Sequence, residues 1–100
     1  MKTTVTARHC EIPDELRDRA MALMEKAAKK ADRPHRAEIV FDEDHQQHVV
    51  ELQLYLTRGQ VKVCSAEAGD FTTALDRAFD KLNNQLDKSQ QRPQRRASIG

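Results

Sequence analysis

Glycine occurs only three times in these 100 residues, which leaves no material for the glycine-rich loops that wrap nucleotide phosphates. Tryptophan is absent, and with 38% hydrophobic against 33% charged residues the composition lies near the polar edge of what folds into a globule. Apolar runs are short. None approaches the roughly 20 residues that cross a bilayer, and MKTTVTARHC carries one lysine with no apolar stretch behind it, unlike a secretory leader. A cytoplasmic location without membrane contact is expected. Cysteine is scarce as well: Cys10 and Cys64 are expected as free thiols in a reducing compartment. The lone His45-x-x-His48 lacks the paired CxxC spacing of a metal site, so it is not expected to gather His9, His35 and the two cysteines around an ion. No metal or other cofactor is expected. No carboxylate pair in a cleft and no nucleophile elbow can be read, and Cys64, placed on an inward strand face, is an inert small hydrophobe. Nothing in the chain points to an enzyme.

Net charge of either sign is also lacking, since 17 Lys and Arg offset 16 Asp and Glu to leave +1. The charges are nevertheless sorted along the helices that the sequence predicts. The first is expected from Pro13 to Ala31, with Pro13 in the first turn, Asp14 and Glu15 at the positive start, Lys29 and Lys30 at the end, and Asp32-Arg33-Pro34 as the stop. At about 100° per residue, Arg19, Lys26, Lys30 and Arg33 fall on one stripe about 60° wide, and Asp14, Asp18, Glu25 and Asp32 on another face. Leu16, Ala20, Leu23, Met24, Ala27 and Ala31 form its narrow apolar side. Sorted charge on a nearly neutral chain makes a local field suited to phosphate without general stickiness.

Strands are expected at Thr3 to Arg8, around Ala37, Ile39 and Phe41, around Val50, Leu52, Leu54 and Leu56, and from Gln60 to Ala68. Glu43 to Gln47 reads as a polar connection and Arg58-Gly59 as a tight turn, so both links are hairpins. In the last strand Cys64, Ala66 and Ala68 are taken as inward, which leaves Val61 and Val63 outside beside Tyr55. Gly69-Asp70 caps the second helix. Its apolar stripe is Phe71, Ala74, Leu75, Ala78, Phe79, Leu82 and Leu86. Arg77, Lys81 and Lys88 line up with Asn84 on its outer side, while Asp76, Asp80 and Asp87 line up with Asn83. Residues 1–88 are thus one domain, and from Ser89 the three arginines Arg92, Arg95 and Arg96 among Gln, Ser and Pro read as a disordered basic tail over 89–100. The order β-α-β-β-β-α gives an α+β fold: a four-stranded mixed sheet with both helices on one face and the other face open.

The segments ARHCEIPDELRDRAMALMEKAAKKADR and AEAGDFTTALDRAFDKLNNQLDK carry a specific likeness. In order and spacing they resemble the ribosome hibernation promoting factor family, also called ribosome-associated inhibitor or sigma-54 modulation proteins, and the length is similar to the short form. The resemblance implies a βαβββα fold distantly similar to double-stranded RNA-binding domains. It implies binding in the small ribosomal subunit, at the decoding region of 16S rRNA, with the two helices covering the positions of messenger and transfer RNA and so silencing translation in stress or stationary phase. A ribosome dimerisation factor is a further implied partner, and the free protein is expected as a monomer. The family's basic positions correspond to Arg8, Lys26, Arg33, Lys81 and Lys88, and helical geometry adds Arg19, Lys29, Lys30 and Arg77. Thr72 and Asn84 stand where many relatives carry an aromatic and an arginine.

A reading of a different class is a protein-interaction or self-association module that uses the open sheet face, with Val49, Tyr55, Val61 and Val63 as contacts. Salt separates the two. RNA binding weakens steeply as salt rises, whereas an apolar contact barely responds.

Overall fold

Apolar residues two apart in a strand share a face, so burying that face fixes the register of the sheet. The computed structural model describes the backbone of residues 1–99 and the side chains of residues 1–87. In β2 (Arg36–Asp44) the fully buried residues are Ala37, Ile39 and Phe41, and in β3 (Gln47–Tyr55) they are Val50, Leu52 and Leu54. β4 (Val61–Ala68) turns Cys64, Ala66 and Ala68 to the same side and leaves Val61 and Val63 40% and 52% exposed. β1 (Lys2–Arg8) runs parallel to β2, with Lys2 opposite Arg36 and Arg8 opposite Asp42. The other two pairings are antiparallel, and the strand order is β1-β2-β3-β4.

α1 (Asp14–Ala28) is the crossover between β1 and β2, and α2 (Phe71–Ile99) follows β4. Because β1, β2 and β4 point the same way, the two helices that return from β1 and β4 run parallel to each other. α1 lies toward β1, and α2 packs over β3 and β4. Ala20, Ala27 and Ala28 of α1 and Ala74 and Ala78 of α2 are buried against the sheet, and their small size lets both helices sit close to it. Met24, Leu75, Leu82 and Leu86 fill the space between, while Phe71 meets Phe41 edge-on at 5.4 Å between ring centroids.

Four expectations need correction. The first helix ends at Ala28 rather than Ala31, and Pro13 is its N-cap (φ −67°, ψ 155°) rather than its first residue. The amides of Lys30 and Ala31 donate three residues back, to Ala27 and Ala28 (both 3.0 Å), which tightens the last turn. Arg33 then takes a left-handed φ of 51°, and Pro34 after it keeps the chain from resuming the helix. Lys30 and Arg33 are therefore past the helix, and only Arg19 and Lys26 of the expected stripe are held by helical geometry. The polar connection at 43–47 shrinks to two residues, His45 and Gln46, at φ 51° and 67°, the left-handed pair that matches strand twist in a two-residue hairpin. Finally, the last strand begins at Val61, since Gln60 closes a single 3-10 turn (Thr57–Gly59) by donating to the Thr57 carbonyl. Lys88 and residues 89–99, expected as part of a disordered tail over 89–100, continue the backbone of α2, and their side chains lie outside the described residues.

Candidate nucleic-acid interface

Position along a helix decides which neighbour a side chain meets, and the two helices meet across a groove lined by opposite charges. Arg19 donates to Asp76 across it at 2.8 Å, and Lys30 lies 3.5 Å from Asp87. Eleven residues separate Arg19 from Lys30 and Asp76 from Asp87 alike, which is what parallel packing requires. Both pairs are about half exposed. Lys26 shares the flank of Arg19 and is exposed, as is Lys29 at the helix end; neither makes an ion pair among the described residues. α1 thus offers a bank of cations, and the acids of α2 stand opposite it.

The cations of α2 turn the other way. Lys81 Nζ donates to the Ser65 carbonyl at 2.8 Å, and Arg77 Nη1 donates to the Glu67 carbonyl at 3.2 Å. Those two carbonyls belong to alternate residues of the edge strand β4, so both side chains close hydrogen-bonding positions along that edge. Gln85, one turn on from Lys81, donates to Cys64 Sγ at 3.2 Å. On the opposite edge Arg17 Nη1 reaches the Val5 carbonyl at 3.5 Å.

The strands divide the remaining cations between two ends of the molecule. Arg8 closes β1 beside the α1 start, whereas Arg33 lies by the other end of the sheet, where His35 accepts from the amide of Lys2 at 3.3 Å. Seven strand residues at about 3.3 Å each put roughly 20 Å between these ends. The structure therefore brings Lys26, Lys29, Lys30 and Arg33 into one neighbourhood around the end of α1. It sets Arg77 and Lys81 on the far flank of α2 and Arg8 at the opposite end. Two further cations, Arg58 and Lys62, line the same neighbourhood as Lys29, Lys30 and Arg33. The signal for Lys62 was its parity: it shares the side of Cys64 and lies where the helix layer stops.

Other candidate chemistry is quiet. Asp70 accepts from the backbone N–H of Thr73 at 3.1 Å, and hydrogen bonding by Thr73 holds its carboxyl below the usual aspartate range, as a helix cap should. Both cysteines are free; burial pushes the Cys64 thiol up against the lowering pull of Lys81 and Lys62, and burial with Asp42 and Glu43 nearby raises Cys10. Among the described residues no group of three or more His, Cys, Asp and Glu gathers as a metal site would need, and no helix is long and apolar enough to cross a membrane. The open sheet face is largely polar. Tyr55 donates to Gln53 at 2.7 Å and lies under the Arg36 guanidinium, which itself pairs with Glu38, so that Val61 and Val63 are the large apolar side chains well exposed there.

This βαβββα frame coincides with a known one. Residues 3–94 match the family described as sigma 54 modulation protein / S30EA ribosomal protein. The chain belongs to this family. The chain is similar to the ribosome hibernation promoting factor of Escherichia coli K12, 30% identical over 88 residues that span 88% of this chain and 92% of the relative. The protein of the same name from Pseudomonas putida KT2440 is 28% identical over 94 residues, 94% of this chain and 91% of the relative. Among solved structures, the N-terminal domain of Protein Y from Thermus thermophilus superposes with a TM-score of 0.73 at 26% identity, covering 85% of this chain and 93% of that one. A ribosomal subunit interface protein of Coxiella burnetii shares the fold, with a TM-score of 0.73 at 23% identity over 90% of this chain and 98% of that one.

Proposed function

We propose that this protein is a ribosome hibernation factor that binds the RNA of the small subunit around the decoding region and silences translation by occupying the space of messenger and transfer RNA. The observation that carries the reading is the exposed cationic bank at the end of α1, presented on a frame shared along nearly its whole length with relatives named ribosome hibernation promoting factor. Phosphate contacts fix orientation and supply affinity, and they need exposed cations on a rigid element rather than a pocket. The mechanism is occlusion: no bond is made or broken, and the chain need only be the right shape and charge. Arg77 and Lys81 on the far flank of α2, and Arg8 at the opposite end of the sheet, serve as separate contacts away from that bank. For Arg77 and Lys81 this means exchanging a backbone carbonyl for a phosphate.

Cosedimentation with purified small subunits across a salt series tests this. The wild-type chain is expected in the subunit fraction at low salt and released steeply as salt rises. Replacing Lys26, Lys29 and Lys30 together with Glu is expected to abolish cosedimentation while circular dichroism stays unchanged. Retained binding by that variant would refute the role given to α1, and salt-independent binding would favour a contact through Val61 and Val63 instead.

A further inference from the structure

The turn after α1 and the turn between β3 and β4 lie side by side. Thr57 Oγ1 donates to the Arg33 carbonyl at 3.3 Å, and the His35 amide donates to the Tyr55 carbonyl at 3.0 Å. At the crest of each turn stands an arginine in the left-handed region, Arg33 at φ 51° and Arg58 at φ 67°. Glycine or asparagine adopts that conformation more cheaply, and strained residues of this kind cluster at functional sites. Two adjoining hollows of about 480 and 330 Å³ open here and share Asp32 and Gln60 in their walls. Lys29, Lys30 and Lys62 line the larger, Arg33 and Arg58 the smaller. Lysines after a helix end complement its negative pole, which accounts for Lys29 and Lys30. It does not account for Arg58 and Lys62, which come from a different turn and strand.

We infer that this basin reads the sugar-phosphate backbone of RNA, with phosphates on the five cations and a ribose 2′-hydroxyl donating to Asp32. A phosphodiester has no proton to donate, so a carboxylate amid cations would repel it. The 2′-hydroxyl is the backbone's donor and the group that separates RNA from DNA. Asp32, in the walls of both hollows, therefore has a purpose that phosphate binding alone does not give it, whereas Asp87, 3.5 Å from Lys30, belongs to the groove between the helices. Gln60, able to donate and accept, can bridge the two kinds of contact. The inference rests on the RNA-binding reading above and adds to it the chemical group recognised and two residues, Arg58 and Lys62, from outside the helices.

The test is fluorescence anisotropy of the full chain with a short single-stranded oligoribonucleotide and the deoxy oligonucleotide of the same sequence, each over a salt series. The wild type is expected to favour RNA about tenfold, as one hydrogen bond to a charged group would give, and Asp32→Ala should bring the two affinities together. The double variant Arg58→Asn, Lys62→Gln should flatten the salt slope by about 1.4 units, at about 0.7 per phosphate contact on a single strand. Asparagine keeps the left-handed turn, and an unchanged melting curve verifies that the variant is folded. Equal wild-type affinity for RNA and DNA, or an unaltered slope in the double variant, would overturn the inference. The assay contains no ribosome, so its result stands apart from cosedimentation. Absent cosedimentation with an intact RNA preference defeats the hibernation reading alone, while normal cosedimentation with an unaltered slope defeats the basin alone.

Discussion

Asp76 should act as a brake on polyanion binding, because the cation it holds is one that RNA would otherwise use. Replacing Asp76 with Asn removes the charge but keeps an acceptor 2.8 Å from Arg19. In bulk water a unit pair at that distance is worth about 1.5 kcal/mol by Coulomb's law. Both side chains are about half exposed, and such pairs retain only about 0.2 to 1 kcal/mol once side-chain entropy and screening are counted. The melting temperature of a domain this size should thus fall by no more than about 4 to 8 °C. Binding should move further. One released guanidinium that gains a phosphate steepens the salt slope by about 0.9. Taking the electrostatic contribution to vanish at 1 M salt, this amounts to roughly eightfold tighter binding at 0.1 M. Asp87→Asn, at the looser 3.5 Å pair with Lys30, should give a smaller rise. Cosedimentation with small subunits between low and moderate salt measures both quantities, and a thermal melt measures the cost. Unchanged affinity and slope in Asp76→Asn would refute the claim that Arg19 belongs to the interface. Weaker binding would show that Asp76 itself contacts the ligand.

Other perturbations probe the frame and its edges. Leu82→Ala empties a fully buried site beneath α2 and should cost about 2 to 5 kcal/mol, read by urea denaturation. Asp70 has its folded-state carboxyl held below the unfolded value by Thr73, so its stabilising effect is complete above the ordinary aspartate range and is shed as pH falls through the folded value. Asp70→Asn should therefore lose acid sensitivity in that window, measured as the urea midpoint between neutral pH and pH about 2. Arg77→Ala with Lys81→Ala uncovers the Ser65 and Glu67 carbonyls and should produce concentration-dependent self-association by sedimentation velocity that is stronger than that of the wild type measured alongside. Cys64 should resist a thiol reagent until the chain unfolds, and partly exposed Cys10 should react slowly at neutral pH and faster as pH rises past the ordinary thiol range, because burial and acidic neighbours hold its proton.

What could be read from the chain follows from what periodicity encodes. Burial of alternate residues in a strand is a local rule, so Ile39, Phe41, Leu52 and Leu54 could be assigned without knowing what covers them. In β4, where both parities carry apolar residues, size decides, since Cys64, Ala66 and Ala68 make room for a helix where Val61 and Val63 would not. The direction of the helical cations is not local. Arg77 and Arg19 look alike on their own helices, yet one caps a carbonyl of β4 and the other meets Asp76, because the sheet places α2 over β3 and β4. Arg33 could not be placed by extending the helix through it, since Pro34 changes the backbone one residue earlier. Arg58 and Lys62 required the fold outright: Arg58 joins Arg33, and Lys62 joins Lys29 and Lys30, only because the two turns share one end of the sheet.

The near-neutral composition and a polyanionic partner are compatible once the acids are located. Asp76 and Asp87 occupy the groove, where they confront the cations of α1, so the field of Arg19 and Lys30 is muted in the free chain. Each of these half-exposed pairs contributes under about 1 kcal/mol, and a phosphate that displaces a carboxylate gains a charge-assisted hydrogen bond of similar or greater strength. The exchange is then close to balanced and favours binding only where several phosphates arrive in the correct geometry at once. A chain with the same cations and no acids would hold any polyanion it met. On the proposed reading, the acids facing α1 would convert raw attraction into selectivity for shape, and would leave Lys26 and Lys29, which make no ion pair among the described residues, to attract the first phosphate.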